Sequence, residues 1–531
     1  MTSLAGTGSL MRLAVRRDRV ILAAFVGVLV LSVAASAYAT IELYPDAAAQ
    51  AQAVAAINGA TSTLALYGPI HDQTSLGALS TFKVGMMGAV AVCVLTLFLV
   101  VRHTRTEEET GRLELLGGTV VGRHAPLTAG LVVAGAAAFV SGLGTAVGLI
   151  AVGLPVGGSI LMGLGYACLG LAFASIAGLA AQLVRSARTA SGIAVAVLGA
   201  SYLLRAVGDA SSGKGLAWIS WPSPLGLWHA TRPYAGDRWW ILSLLVALSA
   251  AVIAAAYSLG ARRDFGSGLL PERAGRADAA PTLRSPLALG WRLQRGSLAA
   301  WSVAFAIVGL VVGGLASNAG DFLTSPQAKE FIAKLGGAQT LTDAFLSVEL
   351  GFAGVFAAVF GMQAVMRLRS EEAALRGEPV LAAPVTRMRW AWSYLTVALG
   401  GTLILLLVLG LAAGSVRAAQ AGELDQFGRM VVAALVRLPA VWVMIGIALA
   451  LFGVAPRWMA LGWVILVGFL LLGELGPLFG LSPRVMDISP FSHIPRLPGG
   501  GLTATPLLWL TAAAALLIVI GLVGFRRRDV G

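Results

Sequence analysis

The chain has 531 residues, 57% of them hydrophobic and only 12% charged, with 66 glycines, and that balance describes an integral membrane protein rather than a soluble domain. Its formal net charge of +13 does not point to nucleic acid, because no basic patch is interleaved with aromatics on a soluble domain. Two cysteines, Cys93 and Cys168, lie in different apolar segments without metal-ligand spacing and read as small packing residues.

A spanning helix needs about 20 mostly apolar residues. About twelve such segments are predicted, at 20–41, 80–101, 125–153, 157–184, 190–209, 239–261, 297–316, 347–366, 391–415, 429–454, 458–475 and 506–525. The fold class is therefore an all-α multi-pass membrane protein. Arginines cluster in alternate loops: Arg12 to Arg19, Arg102 to Arg123, Arg185 and Arg188, the 262–295 stretch, Arg367 to Arg389, Arg457, and Arg526 to Arg528. The positive-inside rule makes that side cytoplasmic and places both termini there. High Ala, Gly and Arg with little Lys suggests a GC-rich, actinobacterial genome, hence a bacterial plasma membrane.

Residues 10–19, basic and apolar by turns, suit a stretch lying in the inner headgroup layer before the first span. Ala35-Ser36-Ala37 imitates a signal-peptidase site, but the apolar run exceeds a usual h-region and a signal-anchor span is expected. In the outer segment 42–79 a helix is predicted after Pro45, which suits a first turn. Then comes a charged island, Glu107-Glu108-Glu109-Thr110-Gly111-Arg112-Leu113-Glu114, running on to Arg123. Charges this dense belong outside the bilayer.

The island returns 264 residues later (371 − 107), where Glu371, Glu372, Arg376, Glu378, Val385 and Arg387 repeat Glu107, Glu108, Arg112, Glu114, Val121 and Arg123. The outer helix has an echo at Pro326 to Ile332, and Ser223-Pro224 before the sixth span has one at Ser489-Pro490. Two six-span halves in the same order follow, 1–263 and 287–531, joined by a Gly- and Pro-rich cytoplasmic linker at 264–286. As a solvated helix each island would be supported by Glu-to-Arg pairs such as Glu108 to Arg112. Duplication argues further that it is a docking element for a partner with two equivalent surfaces.

Gly208 to Gly215 nearly spells a phosphate-binding loop, but it lacks the final Ser or Thr and the preceding strand, so no nucleotide site is expected in this chain. His71, His103, His124, His229 and His493 are dispersed, and no catalytic or metal site is predicted from them.

The pattern Glu-Glu-x-x-Gly-Arg-x-Glu-Leu-Leu, then a small-residue run, Val-x-Arg and a new span, resembles the cytoplasmic loop of type-2 ATP-binding-cassette (ABC) exporter permeases. The likeness is to actinobacterial twelve-span antibiotic exporters of the tetronasin and polyketide resistance type; the late Ser-Pro-Phe and the Leu204 to Asp209 stretch share it. The resemblance implies a coupling helix at each island, seated on one of two copies of a separate cytosolic ATPase that holds the ATP and Mg, with a hydrophobic or amphipathic cargo. Carried over as ATPase-coupling residues are Glu107, Glu108, Gly111, Arg112 and Glu114, and Glu371, Glu372, Arg376 and Glu378. Arg185 and Arg188 are candidates for a secondary ATPase contact. The halves depart from each other where Leu375 replaces Gly111 and Pro384 replaces Val120.

Charges near the outer span ends fall at related repeat positions with opposite signs: Lys83 with Glu349, and Arg205 with Glu474. Pairing of these four across the two halves would hold an outer gate shut. An ion-coupled secondary carrier also uses two six-span repeats, and export of a lipid or envelope precursor remains open within the exporter reading. A carrier's loop between spans two and three, however, is Gly- and Arg-rich rather than Glu-rich.

Overall fold

The computed structural model describes residues 3–44, 46–59, 61–112, 121–211, 215–264, 266–270, 278–315, 338–475 and 482–528. The chain divides into two compact units, Met1–Gly275 and Arg276–Gly531, each with its own apolar core. The described secondary structure is helical throughout, as it must be for a backbone whose polar groups are satisfied within the segment that crosses hydrocarbon.

The first unit contains α1 (Thr7–Leu43), α2 (Ala47–Gly59), α3 (Thr61–Tyr67), α4 (Leu76–Val101), α5 (Ala125–Ala151), α6 (Val156–Leu183), α7 (Ala187–Ala210), α8 (Pro224–Ala230) and α9 (Trp240–Gly260). Its centre is α4 with α6: α4 packs on α1, α5 and α6, and α6 also packs on α5 and α9. The second unit contains α10 (Pro286–Leu315), α11 (Ala338–Ala373), α12 (Gly377–Ala382), α13 (Arg387–Ala421), α14 (Asp425–Leu435), α15 (Leu438–Val454), α16 (Leu461–Leu475) and α17 (Ala504–Arg527). Here α10 packs on α13, α15 on α17, and α11 on both α13 and α15.

Among the described residues eleven helices are long and apolar enough to cross a bilayer. The predicted span 458–475 corresponds to the shorter α16, of 15 residues. Helix contacts without a hydrophobic driving force favour small residues that let backbones approach. Gly142 of α5 and Gly163 of α6 meet in this way: a Cβ at Gly142 would stand 2.1 Å from the Gly163 carbonyl oxygen, and one at Gly163 2.4 Å from that of Gly142.

The structure adds detail to three expectations. Residues 10–19 are no separate surface stretch but the first turns of the continuous α1, which buries Ala14 and Asp18 there. The predicted span 429–454 is present as one apolar crossing, Asp425–Val454, within which α14 passes into α15 through a turn at Val436 and Arg437, because Pro439 has no N–H with which to continue the ladder. The start of the 264–286 linker is fastened to the first unit, where the Leu270 N–H donates to the Leu183 carbonyl (2.9 Å). The outer helix after Pro45 is present as α2; its predicted echo at 326–332 lies outside the described residues.

Candidate functional site

The islands are not free-standing loop helices. In the first unit α4 continues through a π-type turn, Arg102–Thr106, into a last helical turn, Glu107–Glu109; in the second, α11 itself runs to Ala373. The leading glutamates of both islands therefore occupy a helix C-terminus, where the macrodipole disfavours negative charge. Each consequently needs cationic partners, and the structure supplies them from the chain itself.

Glu108 is buried and accepts four hydrogen bonds: Arg105 Nη1 at 2.8 Å, Arg263 Nη1 and Nη2 at 2.9 and 3.0 Å, and the Gly266 N–H at 2.7 Å. The two-pronged Arg263 contact is the strong fork geometry of a guanidinium on a carboxylate. Arg123 at the start of the next span donates to the carbonyls of Gly260 (3.2 Å) and Arg263. The second unit repeats the arrangement. Glu372 is buried and accepts from Arg369 (3.3 Å) and Arg528 (2.8 Å), while Arg387 donates to the Arg528 carbonyl (3.0 Å). Each unit thus ties the end of its second span, the entry to its third and the exit of its last span into one clasp.

The predicted Glu108 to Arg112 pair is replaced: Arg112 reaches Glu107 instead, at 3.3 Å, because Glu108 points inward to Arg105 and Arg263. Glu107 also meets Arg17 of α1. Beside it, the buried Asp18 takes Arg102 at 3.0 Å and His103 at 2.6 Å. In the second unit Glu371 is buried on Arg367 (3.2 Å), with Arg376 at 3.9 Å, and Arg367 also donates to the Leu293 carbonyl of α10 (3.1 Å). Arg112, Arg376, Glu109 and Glu378 remain exposed, and Glu378 sits in the short helix α12. Glu114, together with the rest of 113–120, lies outside the described residues.

Both islands turn at the same repeat position in the left-handed region, Gly111 at φ 72° and Leu375 at φ 57°. In the second unit the turn closes with Leu375 N–H to the Glu372 carbonyl (3.0 Å) and Arg376 N–H to that of Glu371 (2.9 Å), the pattern of a Schellman cap. Glycine reaches this region freely, whereas leucine pays about 1–2 kcal/mol for it. Leu375→Gly is accordingly expected to stabilise the second unit by about 0.5–1 kcal/mol after its extra unfolded-state entropy, read as a rise in the thermal unfolding midpoint of about 1–3 °C.

The Arg185 and Arg188 loop lies against the first island, since the Ala187 N–H at the start of α7 donates to Glu109 (3.2 Å), and both arginines are exposed. The charges expected at an outer gate fall in both units. Arg205 is wholly buried within the first unit, donating to Asp209 (3.4 Å) and to the Ala65 and Leu66 carbonyls (2.9 and 2.8 Å) over the Tyr202 ring. Those carbonyls end α3 and have no helical partner of their own, so a cation suits them. Arg205→Met is expected to cost about 3 kcal/mol, measured by thermal unfolding in detergent, because it strips charge-assisted bonds from two carbonyls and a carboxylate at once. Lys83 is exposed, with its ammonium 5.9 Å from the Tyr67 ring centre; Glu349 is half-buried, and the Glu474 side chain lies outside the described residues.

Sequence reading missed Arg105, Arg263, Arg369 and Arg528. Their signal was available, since Arg105 and Arg369 stand at the island offset and Arg263 and Arg528 one residue from it. The histidines prove less dispersed than expected: the His71 and His229 rings stand 5.9 Å apart, and burial pushes them down to about 4 and about 3, so both are neutral at pH 7.

The family described as the C-terminal domain of the multidrug efflux system permease Rv1217c matches residues 283–526. The multidrug efflux system permease protein Rv1217c of Mycobacterium tuberculosis (strain ATCC 25618 / H37Rv) is 43% identical over 528 residues, which cover 99% of this chain and 95% of that protein. The chain belongs to the Rv1217c permease family. Within the Rv1217c family the C-terminal domain begins just ahead of α10 and ends in the last turn of α17, so it takes in the whole second clasp except Arg528.

Proposed function

We propose that this chain is the permease subunit of an ATP-driven type-2 ABC exporter. It moves hydrophobic or amphipathic drugs out of the cell, energised by two copies of a separate cytosolic ATPase that hold the ATP and Mg. The observation that carries this reading is the duplicated clasp. Glu108 with Arg263 and Glu372 with Arg528 join three spans of each unit to an exposed turn, so a force on that turn is delivered to all three together. The relative's name, a multidrug efflux system permease, supports the cargo class.

In this account the residues have two tasks. Exposed Arg112, Arg376, Glu109 and Glu378 face the ATPase, with Arg185 and Arg188 beside the first turn, whereas buried Glu108, Glu371 and Glu372 position the turns from behind. Both termini and both islands lie on the cytoplasmic side of the plasma membrane. A coupled cycle requires the ATPase to bind the two permease states with different affinity.

Drug accumulation in cells producing the permease with its ATPase tests the reading. Efflux is expected to stop when the ATPase carries a catalytically dead nucleotide site and to survive a protonophore. Efflux that survives the dead ATPase and stops with the protonophore would make the chain an ion-coupled carrier.

A further inference from the structure

The second unit holds a cavity of about 320 Å3 that the clasps do not explain. It lies between the early turns of α11, the end of α16 and the 486–496 segment, and Gly351, Phe352, Phe469, Phe491 and Ser489 line it. Because α11 runs from this region to its island at Glu371, the cavity sits in the part of the unit away from that island. Its size is at the small end of pockets that take drug-like ligands.

Arg437 reaches this cavity from the break between α14 and α15. It is 2% exposed. Its Nη2 donates to the Ser347 carbonyl at 2.8 Å and its Nη1 to the Ala433 carbonyl, while its Nε has no partner among the described residues. The Ala433 contact follows from the broken ladder, since the Arg437 N–H goes to Ala434 and leaves the preceding carbonyl to the side chain. No carboxylate pairs with Arg437 among the described residues. A buried guanidinium held by neutral carbonyls alone keeps an uncompensated positive charge, which is costly unless an anion reaches it. Exposed Arg496 adds a second cation to the lining. The repeat-equivalent stretch of the first unit, 171–173, reads Leu-Ala-Phe and offers no such charge.

We propose that this cavity binds an amphipathic anion, with the acid group on Arg437 and the apolar body against Phe352, Phe469 and Phe491. Interrupted helices at membrane depth are where transporters expose unpaired polar groups to cargo. The proposal rests on the efflux reading for calling the ligand cargo, but the site itself needs no ATPase. Two sources share the chemistry, a drug-like carboxylic acid and an anionic lipid headgroup.

The test is binding of 11-(dansylamino)undecanoic acid and of its methyl ester to the purified full-length permease in phosphatidylcholine nanodiscs, without ATPase. The acid is expected to bind roughly tenfold or more tightly than the ester at neutral pH. Arg437→Gln should erase that preference and Arg437→Lys keep most of it. Gly351→Leu serves should Arg437→Gln fail to fold: a Cβ there meets nothing within 4 Å, so the position admits a side chain that takes up cavity space while the guanidinium is kept, and it should weaken the acid by a similar factor. Equal binding of acid and ester by the wild type would overturn the proposal, as would a folded Arg437→Gln that keeps the preference or a Gly351→Leu that binds as wild type does. Displacement of the acid by phosphatidylglycerol identifies a lipid as the natural source, and its absence a small molecule. Loss of ATP dependence in efflux with this binding intact would sink the exporter reading and leave the site standing.

Discussion

Replacing Arg263 and Arg528 together with glutamine should lower drug efflux by roughly tenfold or more, relative to ATP hydrolysed, while the ATPase still binds. The exposed groups proposed to meet the ATPase are untouched by these changes, but the turns lose their tie to the last span of each unit. The two single variants should be unequal. Without Arg263, Glu108 keeps Arg105 and the Gly266 N–H; without Arg528, Glu372 keeps only Arg369 at 3.3 Å, and its Oε1 already lacks a partner among the described residues. Arg528→Gln is therefore the more damaging. Lysine at either position should restore part of the coupling, since it keeps the charge, although at position 263 it loses the fork. A purely structural role would lower ATPase binding and coupling in step; a positioning role separates them, and efflux per ATP measured in vesicles distinguishes the two.

Gly142→Leu should destabilise the first unit by about 3 kcal/mol or more, the upper range for overpacking, because the obstacle is backbone rather than a side chain that can turn away. The Gly163 carbonyl carbon, 2.9 Å from the position of a Cβ, blocks retreat as firmly as its oxygen at 2.1 Å. Fluorescence-monitored thermal unfolding checks this against Gly192→Leu. Gly192 has nothing within 4 Å of its Cβ position, so that variant should unfold near the wild-type midpoint.

Span positions were legible because apolar runs of bilayer length are local properties of sequence. The ends of the spans were not. Nothing in Glu107-Glu108-Glu109 says that α4 continues through them, since helix formation there depends on Arg105 and on Arg263, far away in sequence. The break at Arg437 carried a local signal in Pro439, outweighed by the apolar run around it. Arg205 was legible as a charge within an apolar segment, but its contacts with the backbone carbonyls of α3 were not, because any residue type supplies those. The cavity below Arg437 was invisible in sequence, being shaped by segments more than a hundred residues apart.

The measurement that bears most directly on the central claim is the mass and composition of the permease purified after co-production with a candidate ABC ATPase. The account predicts one permease chain carrying two ATPase copies. Arg112→Glu with Arg376→Glu, which reverse two exposed charges and leave the Glu108–Arg263 and Glu372–Arg528 pairs unmutated, should release both. A permease that stays alone, or that keeps its ATPase through both reversals, would contradict it.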